Sequence, residues 1–77
     1  MKLYEAIAER TKQLLNERGL SNYYLFKRGE IPRSTISAVI NAKKQNVTTN
    51  TVYQICSTLE ISLKEFFDNP IFDIVDD

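Results

Sequence analysis

The sequence predicts an all-α domain built from five short helices. Apolar residues recur at spacings of three and four along most of its 77 residues, which is the period of an amphipathic helix. Outside the C-terminal tail, no segment alternates polar and apolar residues over a useful length, as a strand would. The two glycines and two prolines all lie outside the predicted helices, close to a helix end or start. A chain of this length forms one small domain.

The first helix is predicted at residues 3–18, and Gly19 follows it as a C-terminal glycine. The second helix is predicted at residues 22–28. Ser21 precedes it as a good N-cap, and Gly29 can end it in the left-handed conformation. Helical spacing in the first helix rests on five residues: Leu3, Ile7, Thr11, Leu14 and Leu15.

The third helix is predicted at residues 33–41, because Pro32 lacks an N–H and prevents a continuous helix from the second. The fourth is predicted at residues 49–59, with Thr48 or Thr49 as its cap. Its apolar residues lie at i, i+3, i+4 and i+7: Val52, Ile55, Cys56 and Leu59. The second and third helices, with the turn between them, form a helix-turn-helix pattern.

The fifth helix is predicted at residues 63–68. Ser62 and Glu65 match the capping box S-x-x-E at its start, and an Asn-Pro pair follows it. We therefore predict a domain over residues 1–68, followed by an acidic, partly apolar tail at residues 69–77.

The composition argues against catalytic and metal chemistry. The chain has no histidine and a single cysteine, so it lacks the commonest general base and cannot build a structural zinc site. No glycine-rich phosphate loop occurs, and we expect no enzyme, no metal and no cofactor. Cys56 lies among apolar residues and is expected in the core. An unpaired thiol, no signal peptide and no apolar run of about 20 residues favour the cytoplasm and no membrane contact.

A net charge of zero conceals an uneven distribution along the chain. Residues 20–50 carry five lysines and arginines against one acid, a net charge of +4. Residues 51–77 carry one lysine against six acids, a net charge of −5. This distribution, unlike the total, favours a polyanionic partner for the middle of the chain.

The predicted third helix has two different faces when it is projected at about 100° per residue. The inward face is branched and apolar: Ile36, Val39 and Ile40. The opposite face is small and hydrogen-bonding: Ser34, Ser37, Ala38 and Asn41. Arg33 lies at one end of this face, and Lys43 and Lys44 lie beyond the other. Exposed helix faces usually carry longer side chains, whereas short ones let a helix enter the major groove of DNA closely.

Residues 20–68 resemble the phage-repressor/Cro-type (XRE) helix-turn-helix family. The stretch LSNYYLFKRGEIPRSTISAVINAKK is similar to that family's run of Leu-Ser-Gln, a helix, Gly-Val, Ser-x-Ser-Thr-Ile-Ser and an Asn-Gly-Lys ending. The stretch TVYQICSTLEISLKEFF resembles its closing pair of helices. The resemblance implies a compact five-helix lambda-repressor-like domain that binds double-stranded DNA and regulates transcription, as a repressor.

The resemblance also implies roles for individual residues. Four are expected to face the bases: Arg33, Ser34, Ser37 and Ala38. Four are expected to contact the DNA backbone: Asn22, Asn41, Lys43 and Lys44. We expect a homodimer on a palindromic DNA site. The candidate dimer surface is apolar and near the C-terminus: Phe66, Phe67, Ile71, Phe72, Ile74 and Val75. The alternative is a protein-interaction module with the same fold, such as an antitoxin or an anti-repressor, which would use that surface.

Three departures from the family pattern lie in or beside the helix-turn-helix. Glu30 replaces the usual turn glycine, which makes Gly29 the candidate for the positive φ of the turn. Phe26 replaces a small residue, so that either the two helices lie farther apart or its ring points elsewhere. Ala42 replaces the glycine of Asn-Gly-Lys, and a different cap geometry is expected there.

A fourth departure concerns the core. Leu15 and Ile40 stand where many family members pair an arginine with a glutamate. Replacing both partners of a buried ion pair by apolar residues is often neutral or stabilising. We therefore predict a hydrophobic contact at this position.

Overall fold

The computed structural model describes residues 1–43 and 47–76, and every regular element in these ranges is helical. Five α-helices follow one another: α1 Leu3–Glu17, α2 Asn22–Gly29, α3 Arg33–Ile40, α4 Thr49–Leu59 and α5 Leu63–Phe67. A short 3-10 helix at Pro70–Ile74 comes after α5. The predicted all-α fold class is confirmed, and each α-helix begins and ends within one residue of the predicted limits.

One buried cluster lies between the helices. α1 packs against α3, α2 packs against α3 and α4, and α4 packs against α5. Among the largest fully buried side chains are Phe66, Leu25 and Ile31. Cys56 is buried as predicted, with a free thiol, and burial raises the pKa of that thiol. Leu15 and Ile40 are both buried members of the same cluster.

Side chains cap two helices as the sequence predicts. Thr48 Oγ1 accepts a hydrogen bond from the Thr51 N–H at 3.1 Å, which begins α4. Ser62 Oγ accepts from the Glu65 N–H at 3.0 Å, which begins α5. Ser21 occupies the N-cap position of α2, but its side chain makes no capping hydrogen bond. The prediction that Ser21 is the N-cap residue of α2 is therefore confirmed, but its hydroxyl does not accept the expected capping hydrogen bond.

A buried arginine connects the first helix to the last one. Arg10 is 7% exposed, and its Nε donates to the Phe66 carbonyl at 2.7 Å. Its Nη2 donates to the Glu65 carbonyl at 2.9 Å. Both carbonyls belong to the last turn of α5, where C=O groups have no partner within the helix. Arg10 thus satisfies that helix end from across the core.

The tail folds back onto the start of the chain. The 3-10 helix contacts α1, and Asn69 caps it by accepting from the Ile71 N–H at 3.0 Å. The Asp76 N–H donates to the Met1 carbonyl at 3.1 Å, and the Met1 ammonium donates to the Asp76 carboxylate at 2.9 Å. The hydrogen bond and charge of this ammonium lower the pKa of the Asp76 carboxyl. The division between domain and tail at residue 68 stays a prediction.

Candidate nucleic-acid interface

The two faces of α3 separate as its projection predicts. Its branched side chains are buried in the core: Ile36, Val39 and Ile40. Its small side chains lie on the other side, where Ser34, Ser37 and Asn41 are exposed and Ala38 is half-buried. Arg33 is exposed at the first position of the helix. The outward face is therefore available to a ligand along its whole length.

The turn before α3 departs from the expectation for Gly29. Glu30 has a φ of 55°, whereas Gly29 is the last helical residue of α2. The Glu30 N–H donates to the Phe26 carbonyl at 3.1 Å, and the Ile31 N–H donates to the Leu25 carbonyl at 3.4 Å. The positive φ thus lies at the position of the family's usual glycine, and its assignment to Gly29 is wrong. The turn keeps its geometry although Glu30 carries a Cβ.

Gly29 is required for a different reason, which is the close approach of α2 to α4. A Cβ at this position would overlap Thr58 Oγ1 and would lie 3.2 Å from both Thr58 Cβ and Thr58 Cγ2. Real Cβ atoms rarely come so near other heavy atoms. The glycine therefore lets the C-terminal end of α2 pack on α4, and this contact fixes the position of the helix-turn-helix on the core.

The C-terminal end of α3 also keeps the geometry of a glycine cap. Ala42 has a φ of 52°, and its N–H donates to the Val39 carbonyl at 3.2 Å. The Lys43 N–H donates to the Ala38 carbonyl at 3.2 Å. This is the pair of hydrogen bonds of a Schellman cap, so the expected change of cap geometry is wrong. Lys43 follows the cap and is exposed.

Two more residues are expected to contact the DNA backbone, Asn22 and Lys44. Asn22 is exposed at the first position of α2, beside the outward face of α3. Lys44 lies outside the described residues. The predicted roles of both residues remain predictions.

A groove of about 300 Å³ runs between α2 and the outward face of α3. Residues of both helices line it: Asn22, Tyr23, Phe26, Arg33, Ile36, Ser37 and Asn41. At one end the Asn41 Nδ2 donates to Ser37 Oγ at 3.1 Å. That bond leaves the amide oxygen of Asn41 and one of its N–H groups for other partners. The groove thus combines an apolar floor with polar groups at its edge.

An aromatic pair on α2 supports Arg33. Tyr23 and Phe26 are three residues apart, and their ring centroids are 6.0 Å apart. The Arg33 guanidinium carbon lies 4.5 Å from the Phe26 centroid and 5.9 Å from that of Tyr23. Phe26 is half-buried and packs against the core cluster, while α2 and α3 remain in contact. The Phe26 ring lines the groove between the two helices, and the choice between the two expectations for Phe26 stays a prediction.

The sequence did not identify Tyr23 as part of this site. The available signal was the i, i+3 spacing of two aromatic residues on a short helix that precedes an arginine at the start of the next one. That spacing places both rings on one side of α2. It does not reveal which side faces α3, because the crossing of the two helices depends on the turn.

The candidate dimer surface divides into buried and exposed parts. Phe66 is 0% exposed, so its placement on this surface is corrected: it belongs to the core. Phe67 and Ile74 are 40% and 59% exposed. Ile71 and Phe72 are half-buried, and the Phe67 and Phe72 ring centroids are 4.9 Å apart. Phe67 and Ile74 are therefore the exposed members of this set.

Neither metal ligands nor membrane-spanning helices add another kind of site to the described part of the chain. Within residues 1–43 and 47–76, no group of His, Cys, Asp and Glu side chains could hold a metal ion. In the same ranges, no helix has the length and apolar character needed to cross a membrane.

Comparison with known proteins identifies the family. A family model described as a Cro/C1-type HTH DNA-binding domain matches residues 10–70. Searches of curated proteins and of solved structures gave no significant match. The matched range includes α2, α3 and the turn between them, together with the groove and the aromatic pair. The chain therefore belongs to the Cro/C1-type helix-turn-helix family of DNA-binding domains.

Proposed function

We propose that this chain is a sequence-specific transcriptional repressor that inserts α3 into the major groove of double-stranded DNA. The observation that carries the proposal is the outward face of α3, where short side chains are exposed between Arg33 and Lys43. A groove about 12 Å wide admits a helix with such a face. Family membership supports DNA binding in general, and the face of α3 supports this mode of binding.

In the proposed complex, four residues of α3 face the bases: Arg33, Ser34, Ser37 and Ala38. Arg33 would donate two hydrogen bonds to guanine O6 and N7. The serine hydroxyls can donate to or accept from any base edge, and the Ala38 methyl suits the methyl group of thymine. Sequence is read through these contacts, because contacts to phosphate carry no base information.

Contacts to the DNA backbone would come from both ends of the motif. The proposed residues are Asn22, Asn41, Lys43 and Lys44. Asn22 lies in the first turn of α2, and the N-terminal end of a helix favours a nearby phosphate. Lys43 follows the end of α3 and supplies a positive charge there. Such contacts hold the helix in register and make binding sensitive to salt.

We also propose that the chain binds DNA as a homodimer. A single recognition helix reads only a few base pairs, and two related half-sites about one helical turn apart increase both affinity and specificity. Phe67 and Ile74 offer the exposed apolar area that a second copy could cover. Asp73 precedes Ile74 and is also exposed.

Selection from a library of random duplexes tests DNA binding. We expect a preferred, palindromic sequence, with an affinity that decreases at least about 100-fold between 50 and 200 mM salt, because Lys43 and Lys44 of the two protomers would together neutralise about four phosphates. Combining Arg33→Ala with Ser34→Ala should weaken binding to that sequence by about tenfold or more. Equal affinity for all duplexes would contradict the proposal.

A matched control removes one cation and one serine elsewhere. Lys12 is exposed on α1 and Ser57 is exposed on α4. The pair Lys12→Ala and Ser57→Ala should leave the selected sequence and its affinity unchanged. If this control weakens binding as strongly as the α3 pair does, the effect of the α3 pair is not specific and α3 is not the reading element.

Oligomeric state tests the dimer separately. We expect light scattering to give twice the mass of the 8.9 kDa chain at micromolar concentration, and Phe67→Ser with Ile74→Ser to give a monomer. Tyr53 is exposed on α4, and Tyr53→Ser serves as the control that should keep the dimer. A monomer in every case, also on a palindromic duplex, would exclude the homodimer.

The exposed apolar residues of the tail also support the alternative function, a protein-interaction module such as an antitoxin or an anti-repressor. The two functions differ in one experiment. If no genomic duplex binds, while the product of a neighbouring gene forms a stable complex that Phe67→Ser with Ile74→Ser abolishes, the interaction module is correct. Binding to a preferred duplex by the isolated chain supports the repressor.

A further inference from the structure

We propose that Tyr23 and Phe26 form an aromatic ledge that positions Arg33 for base reading, so that residues of α2 set the specificity of α3. The ledge is defined by these two residues. The proposal rests on the proposed function, since it concerns how the same face recognises DNA. It goes further by assigning base discrimination to side chains that do not themselves reach a base pair.

The geometry of Arg33 indicates a held side chain. Its guanidinium lies 4.5 Å from the Phe26 centroid and 5.9 Å from the Tyr23 centroid, both within the range of cation–π attraction. Phe26 is fixed because it packs against the core cluster. Tyr23 is 55% exposed and lies against Phe26. The arginine therefore has one support that is packed on the core and a second one that is more exposed.

The hydrogen-bonding capacity of Arg33 remains available. In the part of the chain that the structure describes, its guanidinium makes no hydrogen bond and no ion pair, and its contacts are to the two rings. A guanidinium carries five N–H groups in its plane, and contact with an aromatic face leaves them free at the edge. A supported Arg33 can thus present its paired donors to guanine while the ring stays behind it.

Support of this kind changes specificity as well as affinity. A long side chain that is free in solution loses rotamer freedom when it binds, and this loss weakens every arginine contact. An arginine held in advance loses less, and its two donors stay aligned with the two acceptors that only guanine offers in the major groove. A small residue at position 26, which is the usual choice in this family, has no ring to offer. The departure at Phe26 is therefore the feature that makes the ledge.

Affinities for single base-pair variants of the selected sequence test this inference. Wild-type protein, Phe26→Leu, Arg33→Ala and the double variant are compared on the same set of duplexes. We expect Phe26→Leu to lower the preference for guanine at the base pair read by Arg33 by about fivefold, with the preferences at other base pairs unchanged. The double variant should bind no worse than Arg33→Ala, because the ring acts only through the arginine.

A matched control exists in the same helix. Tyr24 is also half-buried against the core, and Arg28 lies 6.0 Å from its centroid. Tyr24→Leu thus removes an aromatic ring that lies beside an arginine, and it should cost about as much core packing as Phe26→Leu does. It should leave the preference at the Arg33 base pair unchanged. An equal loss of that preference in Tyr24→Leu would mean that packing of α2, and not the ledge, sets it, and would overturn the proposal.

The free protein offers a readout that does not depend on DNA. Ring currents should displace the NMR shifts of the Arg33 side-chain protons, and Phe26→Leu should return them towards ordinary arginine values. Unchanged shifts in Phe26→Leu would overturn the ledge, as would a uniform loss of affinity on all duplexes. If wild-type protein selects no sequence while the shifts respond as expected, the proposed function fails and the positioning of Arg33 is established without it.

Discussion

Among the described residues, four helices are followed by a residue with positive φ, and Gly19 alone among these four residues lacks a Cβ. The angle is 55° at Glu30, 52° at Ala42 and 59° at Glu60. The left-handed conformation costs a residue with a Cβ roughly 1 kcal/mol more than it costs glycine. Each of these three positions therefore lowers the stability of a small domain that has little to lose.

Ala42→Gly should raise the free energy of unfolding by about 0.5–1 kcal/mol, because glycine adopts a φ of 52° without the clash of the Cβ. The greater freedom of glycine in the unfolded chain reduces the gain. Thermal unfolding measures it as an increase in Tm of about 2–8 °C. Ala38→Gly is the control, because the same change inside α3 should lower the Tm. A lower Tm for Ala42→Gly would contradict the assignment of this cap.

At the scale of elements, helix pairs are fixed by contacts that differ in kind. α2 approaches α4 through the missing Cβ of Gly29, whereas α1 and α3 contribute Leu15 and Ile40 to one apolar cluster. The contact of α2 with α4 limits the size of the side chain at position 29. The apolar cluster limits the polarity of the side chains at positions 15 and 40. Substitutions that violate each limit should therefore fail for different reasons.

Gly29→Ala should lower the free energy of unfolding by about 1–3 kcal/mol, which is the usual cost of overpacking. The new methyl group would overlap Thr58 Oγ1. Urea unfolding should report a smaller cost of Gly29→Ala when Thr58→Ala is already present, because the overlapping hydroxyl is then gone. An equal cost in both backgrounds would mean that the overlap with the Thr58 hydroxyl does not cause the loss of stability.

Leu15→Arg should cost about 3–5 kcal/mol, because it buries a charge without a partner. Leu15 and Ile40 are both buried. Adding Ile40→Glu should recover part of the loss, since the buried arginine would then have a partner of opposite charge. Thermal unfolding of the single and double variants measures the recovery. A Tm for Leu15→Arg close to that of the wild type would show that the position tolerates a charge.

At the scale of the whole molecule, Arg10 connects residues that are 56 positions apart in sequence. Arg10→Met should lower the free energy of unfolding by about 2–4 kcal/mol, because the α5 carbonyls of Glu65 and Phe66 lose a charged donor. Arg18→Met is the control: Arg18 is exposed, and within residues 1–43 and 47–76 its side chain makes a single hydrogen bond, to the Leu59 carbonyl. We expect the control to cost about 1 kcal/mol or less. Equal costs would mean that Arg10 contributes mainly through its apolar stem.

The sequence predicts most of the fold because the signals for helices are local. Helical periodicity, the caps at Thr48 and Ser62 and the two faces of α3 all depend on residues within a few positions of one another. α5 is the exception. Its five residues make little more than one turn, which is too short for a periodic pattern. Periodicity therefore could not distinguish the buried Phe66 from the exposed Phe67.

Contacts between helices are the part that periodicity does not give. A pattern indicates that one face is buried, but it does not name the residue that the face meets. Arg10 with the α5 carbonyls and Gly29 with Thr58 are pairs of this kind. The candidate site shows the same limit, since Arg33 was identified from its own helix, while its support by Phe26 depends on how α2 crosses α3.

The buried thiol of Cys56 gives this protein a built-in reporter. It is the single cysteine of the chain, and because burial raises its pKa, the reactive thiolate is disfavoured in the folded state. A thiol reagent should therefore label the protein only when the fold opens. A ligand that binds the folded state but not the unfolded state makes this opening of the fold rarer. The rate of Cys56 labelling should thus decrease as a DNA duplex is added. This rate would report DNA binding by the wild-type protein, so that no probe has to be engineered into it.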